Sequence, residues 1–293
     1  MKLGAYCLKQ MRPRIIKSQE ELSIVEQKLS LFYKERPDHY GLMDRNEQDY
    51  QEYVDLIEKW TPKGATVLDF GCGTHRTPVL INKRGFQTTG CDIFSKEKLK
   101  EYRSKIGKAG PELISYDGYK LPFENGTFHT VASLCVLEHT TRVDSLLSEM
   151  ARVTRPGGKI IIVGPNLSGP HRAVLAIINL LRGAERFWQY QTIIECASGF
   201  FKSLSWTLQI KLARSPNFIY IYPLMENGKI KFEDADDDAI HLNVPASYKK
   251  WFNKKGFSLL EYNKEAGIAP IARLFNRAFP SLATKIQIVA EKN

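Results

Sequence analysis

The stretch Val67-Leu68-Asp69-Phe70-Gly71-Cys72-Gly73-Thr74 constrains this chain more than any other. Apolar residues run into an acid and then into two glycines one residue apart. The pattern predicts a short buried strand ending in a tight turn, because glycine takes positive φ and lets the backbone approach a ligand with no Cβ in between. Taken alone it also fits a plain strand-to-helix turn. The next unit narrows it. Gly85 to Asp92 reads as a second strand that again closes on an acid, about twenty residues on, the spacing of a ribose-binding carboxylate in a nucleotide-binding βαβ unit. Such a pair predicts a parallel α/β sheet with its ligand edge at the strands' C-terminal ends. A dinucleotide-binding dehydrogenase is the weaker reading, because the third-glycine spacing of such sites is missing.

Composition sets the outer bounds. The chain has 293 residues, 43% hydrophobic and 25% charged, enough for one large core with insertions. Cys7, Cys72, Cys91, Cys135 and Cys196 are scattered without CxxC spacing. That argues against a disulfide framework and a cysteine zinc site, and for a reducing, cytoplasmic setting. No run reaches the ~20 apolar residues that span a bilayer, and no signal-peptide pattern opens the sequence. The net charge of +10 is uneven: residues 41–165 hold 17 basic and 16 acidic side chains, residues 166–232 hold 8 and 3, and residues 249–293 hold 9 and 3. The basic excess outside the central region suits an anionic acceptor, a phosphate-bearing lipid surface or nucleic acid; the bland alternative is a solvated basic surface.

Four motifs in order resemble those of the class I S-adenosylmethionine (SAM)-dependent methyltransferases. They are the 67–74 stretch, the strand ending at Asp92, Ser133-Leu134-Cys135-Val136-Leu137-Glu138-His139, and Arg155-Pro156-Gly157-Gly158 with the β-branched run to Val163. The likeness covers about Tyr50 to Asn166 plus the C-terminal strands, and is of the kind seen in small-molecule methyltransferases of ubiquinone and menaquinone biosynthesis. It implies an α/β fold: a Rossmann-like, seven-stranded, mostly parallel sheet with helices on both faces and an antiparallel C-terminal hairpin, plus a largely helical insert. It implies SAM as cofactor, held by Asp69, Gly71, Cys72, Gly73, Asp92, Ile93, Asp117 and Gly118, with Asp92 on the ribose hydroxyls and Asp117 near the adenine amine. His139 and His241 are the candidate general bases. Some ubiquinone-biosynthesis O-methyltransferases use a Glu-x-x-Glu-His metal set here. Cys135 takes its first position, so no metal is expected, since hard cations prefer oxygen. His75 stands where the family has a third glycine. It either crowds the methyl end of SAM or is an exposed loop histidine, the favoured reading.

The chain divides into a basic N-terminal arm and capping helix (1–46), the SAM-binding core (47–166), a substrate-side insert or lid (167–240) and the C-terminal part of the core (241–293). Leu22, Val25, Leu29 and Phe32 have helical spacing, and Tyr50, Tyr53, Val54, Ile57 and Trp60 form another helix face. Pro78 predicts a helix from 78 to 84 behind an enlarged loop. In the insert, 173–181 is nearly all apolar, and Phe187, Trp188, Tyr190, Phe200, Phe201 and Trp206 mix with Lys202 and Lys211. This predicts a lid or subdomain core in preference to a peripheral membrane contact. Residues 218–223 predict an added strand, 233–238 a solvated acidic loop, and 269–282 an apolar–basic excursion beside the acceptor.

The expected function is methyl transfer to an oxygen of a small-molecule, lipid-linked or saccharide acceptor. The rivals are a catalytically silent SAM-binding protein, a peripheral membrane-binding protein and an RNA methyltransferase. The last is disfavoured because the chain has no Asn-Pro-Pro-aromatic or Asp-Pro-Pro-aromatic motif and no Pro-Cys nucleophile.

Overall fold

The computed structural model describes residues 14–36, 47–182, 192–232, 236–263 and 270–293. Its centre is a seven-stranded sheet built from β1 (Thr66–Phe70), β2 (Gln87–Asp92), β3 (Glu112–Ser115), β4 (Phe128–Leu134), β5 (Thr154–Pro165), β6 (Phe257–Tyr262) and β7 (Lys285–Lys292). The strand order is β3-β2-β1-β4-β5-β7-β6. β1 to β5 run parallel, and β7 is antiparallel to both of its neighbours. The order reverses between β1 and β4, which opens a crevice at their C-terminal ends.

Both sheet faces are covered because alternate strand residues are apolar on each side. On one face Val67 and Ala132 pack against Tyr53, Val54 and Ile57 of α2 (Glu47–Trp60) and Ile81 of α3 (Arg76–Lys83). On the other, Leu68, Phe70 and Val131 meet Leu146, Leu147 and Met150 of α5 (Val143–Val153) and Trp251 and Phe252 of α8 (Pro245–Lys254). α4 (Lys96–Ile106) covers the β3 edge through Tyr102. α1 (Gln19–Glu35) starts where Ser18 Oγ accepts the Glu21 N–H. It buries Leu22, Val25, Leu29 and Phe32, the last three against Ile230 and Ile240 rather than the sheet. The insert adds α6 (Pro170–Arg182) and α7 (Ile193–Leu212), and α9 (Pro270–Ala278) precedes β7.

Several local features differ from the expectations or add to them. α3 begins at Arg76, two residues early, so 74–77 is not an enlarged loop. Pro78 sits inside the first turn, where its missing N–H would be unpaired anyway. β4 ends at Leu134, because Cys135 adopts φ 55 and turns the chain off the sheet. β5 begins at Thr154, and its register with β4 jumps between Phe128 and Thr130 as the chain passes Gly157 at φ 68. Residues 218–223 form no strand, only the isolated bridges Ile15↔Ile221 and Tyr220↔His241. The acidic loop is not solvated at its end, since Asp237 and Asp238 are buried. In the basic arm, residues 14–16 are tied down: Ile16 N donates to Tyr220 O (2.9 Å), and Arg14 lies over the Tyr222 ring. Residues 1–13, and with them Cys7, lie outside the described residues, as do Phe187, Trp188 and Tyr190.

Candidate active site

A cavity of about 240 Å³ opens in the crevice beyond β1, β2 and β4. Gly71 and Gly73 follow β1 at φ 71 and φ 53, values a side chain would oppose. A Cβ on Gly71 would lie 2.3 Å from Val136 Cγ2, so glycine there also keeps the turn close to the loop after β4. Asp69 is almost fully buried behind this turn. Its Oδ1 accepts the Tyr53 hydroxyl at 2.8 Å, and its Oδ2 accepts the Thr77 hydroxyl. Burial pushes its carboxyl up to about 7, against the lowering effect of those two hydrogen bonds. Asp69 therefore ties α2 and α3 to the end of β1, with each carboxylate oxygen holding one of their hydroxyls.

Asp92 ends β2 and is also buried. Its Oδ2 accepts the Gly73 N–H and its Oδ1 the Ile93 N–H, both at 2.7 Å. Each carboxylate oxygen has a second lone-pair site, so Asp92 can still accept from a ligand's hydroxyls. Gly71, Cys72, Gly73, Ile93 and Gly118 line the cavity with Asp69 and Asp92. Asp117 does not. It is exposed and caps its own turn, its Oδ1 accepting from the Tyr119 and Lys120 N–H groups, which hold its carboxyl below the usual range. His75 is half-buried, with its ring 5.0 Å from that of Tyr102 on α4. It is not the exposed loop histidine of the favoured reading. Nor is it among the lining residues.

His139 closes a single helical turn, Leu137–His139, and lines the cavity. Its Nδ1 lies 3.1 Å from Oδ1 of the fully buried Asp238. Asp238 Oδ2 accepts the Tyr33 hydroxyl at 2.7 Å, so α1, the end of the insert and the loop after β4 meet at one carboxylate. Glu138 is buried beside them. Its backbone carbonyl accepts from the Ile240 and His241 N–H groups, and its side chain accepts from Asn243 Nδ2 at 3.1 Å. Burial pulls the His139 imidazole down, but the Asp238 and Glu138 carboxylates outweigh it and hold the ring up at about 9. It is therefore a cation at neutral pH, which is not the state a general base needs. His241 has a different fate. It is fully buried with its Nδ1 2.9 Å from Asn243 Oδ1, packed among Phe218, Tyr220 and Tyr248, and burial pushes it down to about 4. It does not line the cavity.

Sequence reasoning missed Tyr33, Tyr50 and Tyr116 on the cavity wall and Asp238 behind His139. Tyr50 carries a visible signal, its place on the α2 stripe. Tyr33 and Asp238 carry none, being 205 residues apart. The expectation of no metal rested on Cys135. The fold brings a different acid close: one side-chain N or O atom each of Glu138, His139 and Asp236 lie within 4.8 Å of one another, a spacing that could hold a cation.

Residues 68–162 match the family described as "Methyltransferase domain". Residues 68–162, about a third of the chain, thus carry a methyltransferase domain. Over 105 residues it is 36% identical to a phosphatidylethanolamine N-methyltransferase of Cereibacter sphaeroides, covering 34% of this chain and 51% of that protein. Over 132 residues it is 30% identical to a demethylmenaquinone methyltransferase of Thermobifida fusca, covering 43% and 56%. The chain thus spans about half the length of these curated relatives. In fold, the domain and its additions superpose on the Burkholderia thailandensis 1,6-didemethyltoxoflavin-N1-methyltransferase, solved with its substrate and S-adenosylhomocysteine. The TM-score is 0.53 at 10% identity, covering 96% of this chain and 99% of that one. The cavity fits an adenosyl cofactor in one respect: the buried carboxylate of Asp92 is presented on its wall beside the Gly71–Gly73 turn.

Proposed function

We propose that this chain methylates an oxygen of a small-molecule or lipid-linked acceptor that enters as an anion, such as a phenol-like or enol-like hydroxyl or a carboxylate. SAM, when bound, supplies a methyl group already activated on a sulfonium. Asp92 holds its ribose, and the Gly71–Gly73 turn lets the backbone close on it. The reading rests on one observation: His139 lines the cavity with its Nδ1 3.1 Å from Oδ1 of the buried Asp238, a carboxylate that favours the protonated imidazole. An imidazolium there orients an acceptor oxyanion and favours its deprotonated form, so no base is needed to remove a proton at neutral pH. Orientation of this kind can supply several kcal/mol of the barrier. The closing end of the insert serves as the lid, because Asp238 belongs to it.

Incubation with tritiated-methyl SAM and host-cell extract, followed by organic–aqueous partition, tests this. Label is expected in a molecule of low mass. His139→Gln should lower the transfer about 10²-fold or more, the scale of losing one electrostatic contact to the developing reaction. Wild-type rates should fall as pH rises through about 9, where His139 loses its proton. A rate that climbs through that pH would make His139 a base instead. No labelled product under any condition would overturn the activity.

A further inference from the structure

The two insert helices reverse the usual burial rule. α7 buries Cys196, Gly199, Ser203, Thr207 and Ile210, mostly small or polar, while Ile193, Ile194, Phe201, Leu208 and Leu212 are between 57% and 81% exposed. α6 does the same, burying Ala173 and Ala176 and exposing Val174, Leu175 and Leu181. At about 100° per residue, Ile194, Phe201, Leu208 and Leu212 fall within about 40° of one another, so they form one stripe along the helix. Leu274, Phe275 and Phe279 of the α9 region are exposed as well. A scattered surface leucine needs no explanation, but four large apolar residues in a row along one side of a helix, with Ser198 and Ser205 between them, mark a partner when the inner side is mostly small.

The charge beside the stripe says which partner. A second cavity, about 690 Å³, lies where the end of α7 meets α8 and the segment after α9, lined by Lys211, Lys249, Lys250 and Lys254 together with Phe279 and Leu282. Lys250 Nζ donates to the Lys211 and Ala213 carbonyls at the end of α7, and Lys254 Nζ to Ser215 Oγ. Among the described residues none of the four lysines pairs with a carboxylate. Acids are sparse in the neighbouring chain: residues 196–224 hold three basic side chains and no acid, residues 239–260 hold four lysines and no acid, and the flanking Glu261 is instead bound by Lys59 and Trp60. Two copies of this chain meeting there would set lysine against lysine. Among the described residues no helix is long and apolar enough to cross a membrane.

We propose that this face docks on a bilayer rich in anionic phospholipid, the α7 stripe entering the acyl boundary and the lysine-lined cavity receiving headgroup phosphate. The combination of a wide apolar face and flanking lysines is that of an interfacial helix.

Sedimentation of the full chain with phosphatidylglycerol–phosphatidylcholine vesicles, compared with pure phosphatidylcholine vesicles, tests the proposal. Binding is expected on the anionic vesicles and should weaken with salt. Phe201→Ser combined with Leu208→Ser should lower partitioning about tenfold or more through lost apolar burial. Lys211→Glu with Lys249→Glu should lower it about 25-fold, since each basic residue near an anionic leaflet contributes roughly fivefold. SAM binding by calorimetry should be unchanged in both variants, which shows that they are folded and separates this proposal from the reading of the active site. No binding to anionic vesicles would overturn it. So would a dimer in solution that the Phe201→Ser, Leu208→Ser variant dissociates, because a second copy would then cover the stripe.

Discussion

The sheet and the insert obey opposite rules. In the sheet, large apolar side chains such as Leu68, Phe70, Val131 and Ile160 point inward and are fully buried. In α7 the fully buried positions are mostly small or polar, Ile210 excepted, and the most exposed ones include large apolar side chains. The first arrangement is a core that stabilises itself. The second leaves its best hydrophobic surface unused and so is built for contact with something else. Yet the two regions share a carboxylate. Asp238, at the end of the insert, lies 3.1 Å from His139, which the sheet delivers. On the proposed function, the donor end of the site belongs to the sheet and the acceptor end to what the insert adds.

The contrast can be broken or sharpened by substitution. The largest effect should follow Gly71→Ala in the core. It puts a Cβ against Val136 at a positive φ, and thermal or urea unfolding should show a loss of roughly 2–4 kcal/mol, from left-handed strain plus overpacking. Asp238→Asn should act at the junction. The folded pKa of His139, about 9, exceeds its ordinary 6.5. The folded state therefore holds an extra proton between those values, and the stability this contributes is fully present below about 6.5 and lost as pH rises through about 9. Wild-type melting temperature should fall across that window, and Asp238→Asn should flatten the fall. Asp69 adds a slope of the same sign in a lower window, between 3.8 and about 7, which the variant should leave in place. The smallest effect belongs to the insert. Leu208→Ser should change stability by less than about 0.5 kcal/mol, as exposed positions do. A large loss there would mean that the stripe is core after all.

How legible each region was follows from the range of its interactions. The donor half is local. A strand, an acid and two glycines occupy eight consecutive residues, and the second acid follows within one βαβ unit, so Gly71, Gly73 and Asp92 could be placed from spacing alone. Asp69 was visible, but its engagement was not, because Tyr53 and Thr77 reach it from two other helices. Asp117 fitted the motif in sequence, yet its carboxylate turns back onto its own backbone. His139 was legible as a residue but not as a cation, since its charge depends on an acid 99 positions away that the sequence presents as one of a solvated run. His241 was misplaced for the complementary reason: three aromatic rings from separate segments close around it. In the insert, composition revealed apolar helices but not which side faces outward, because Cys196, Gly199, Ser203 and Thr207 do not look like a buried face until α6 packs on them.

The most direct test of the account is calorimetric titration of SAM into the wild-type chain and into Asp92→Ala and Asp117→Ala. Wild-type binding is expected, with a loss of about 10- to 100-fold for Asp92→Ala, the range for removing a hydrogen-bonding charge, and little change for Asp117→Ala. Unaltered affinity in Asp92→Ala would contradict it, and the cofactor would have to lie somewhere other than the crevice between β1 and β2.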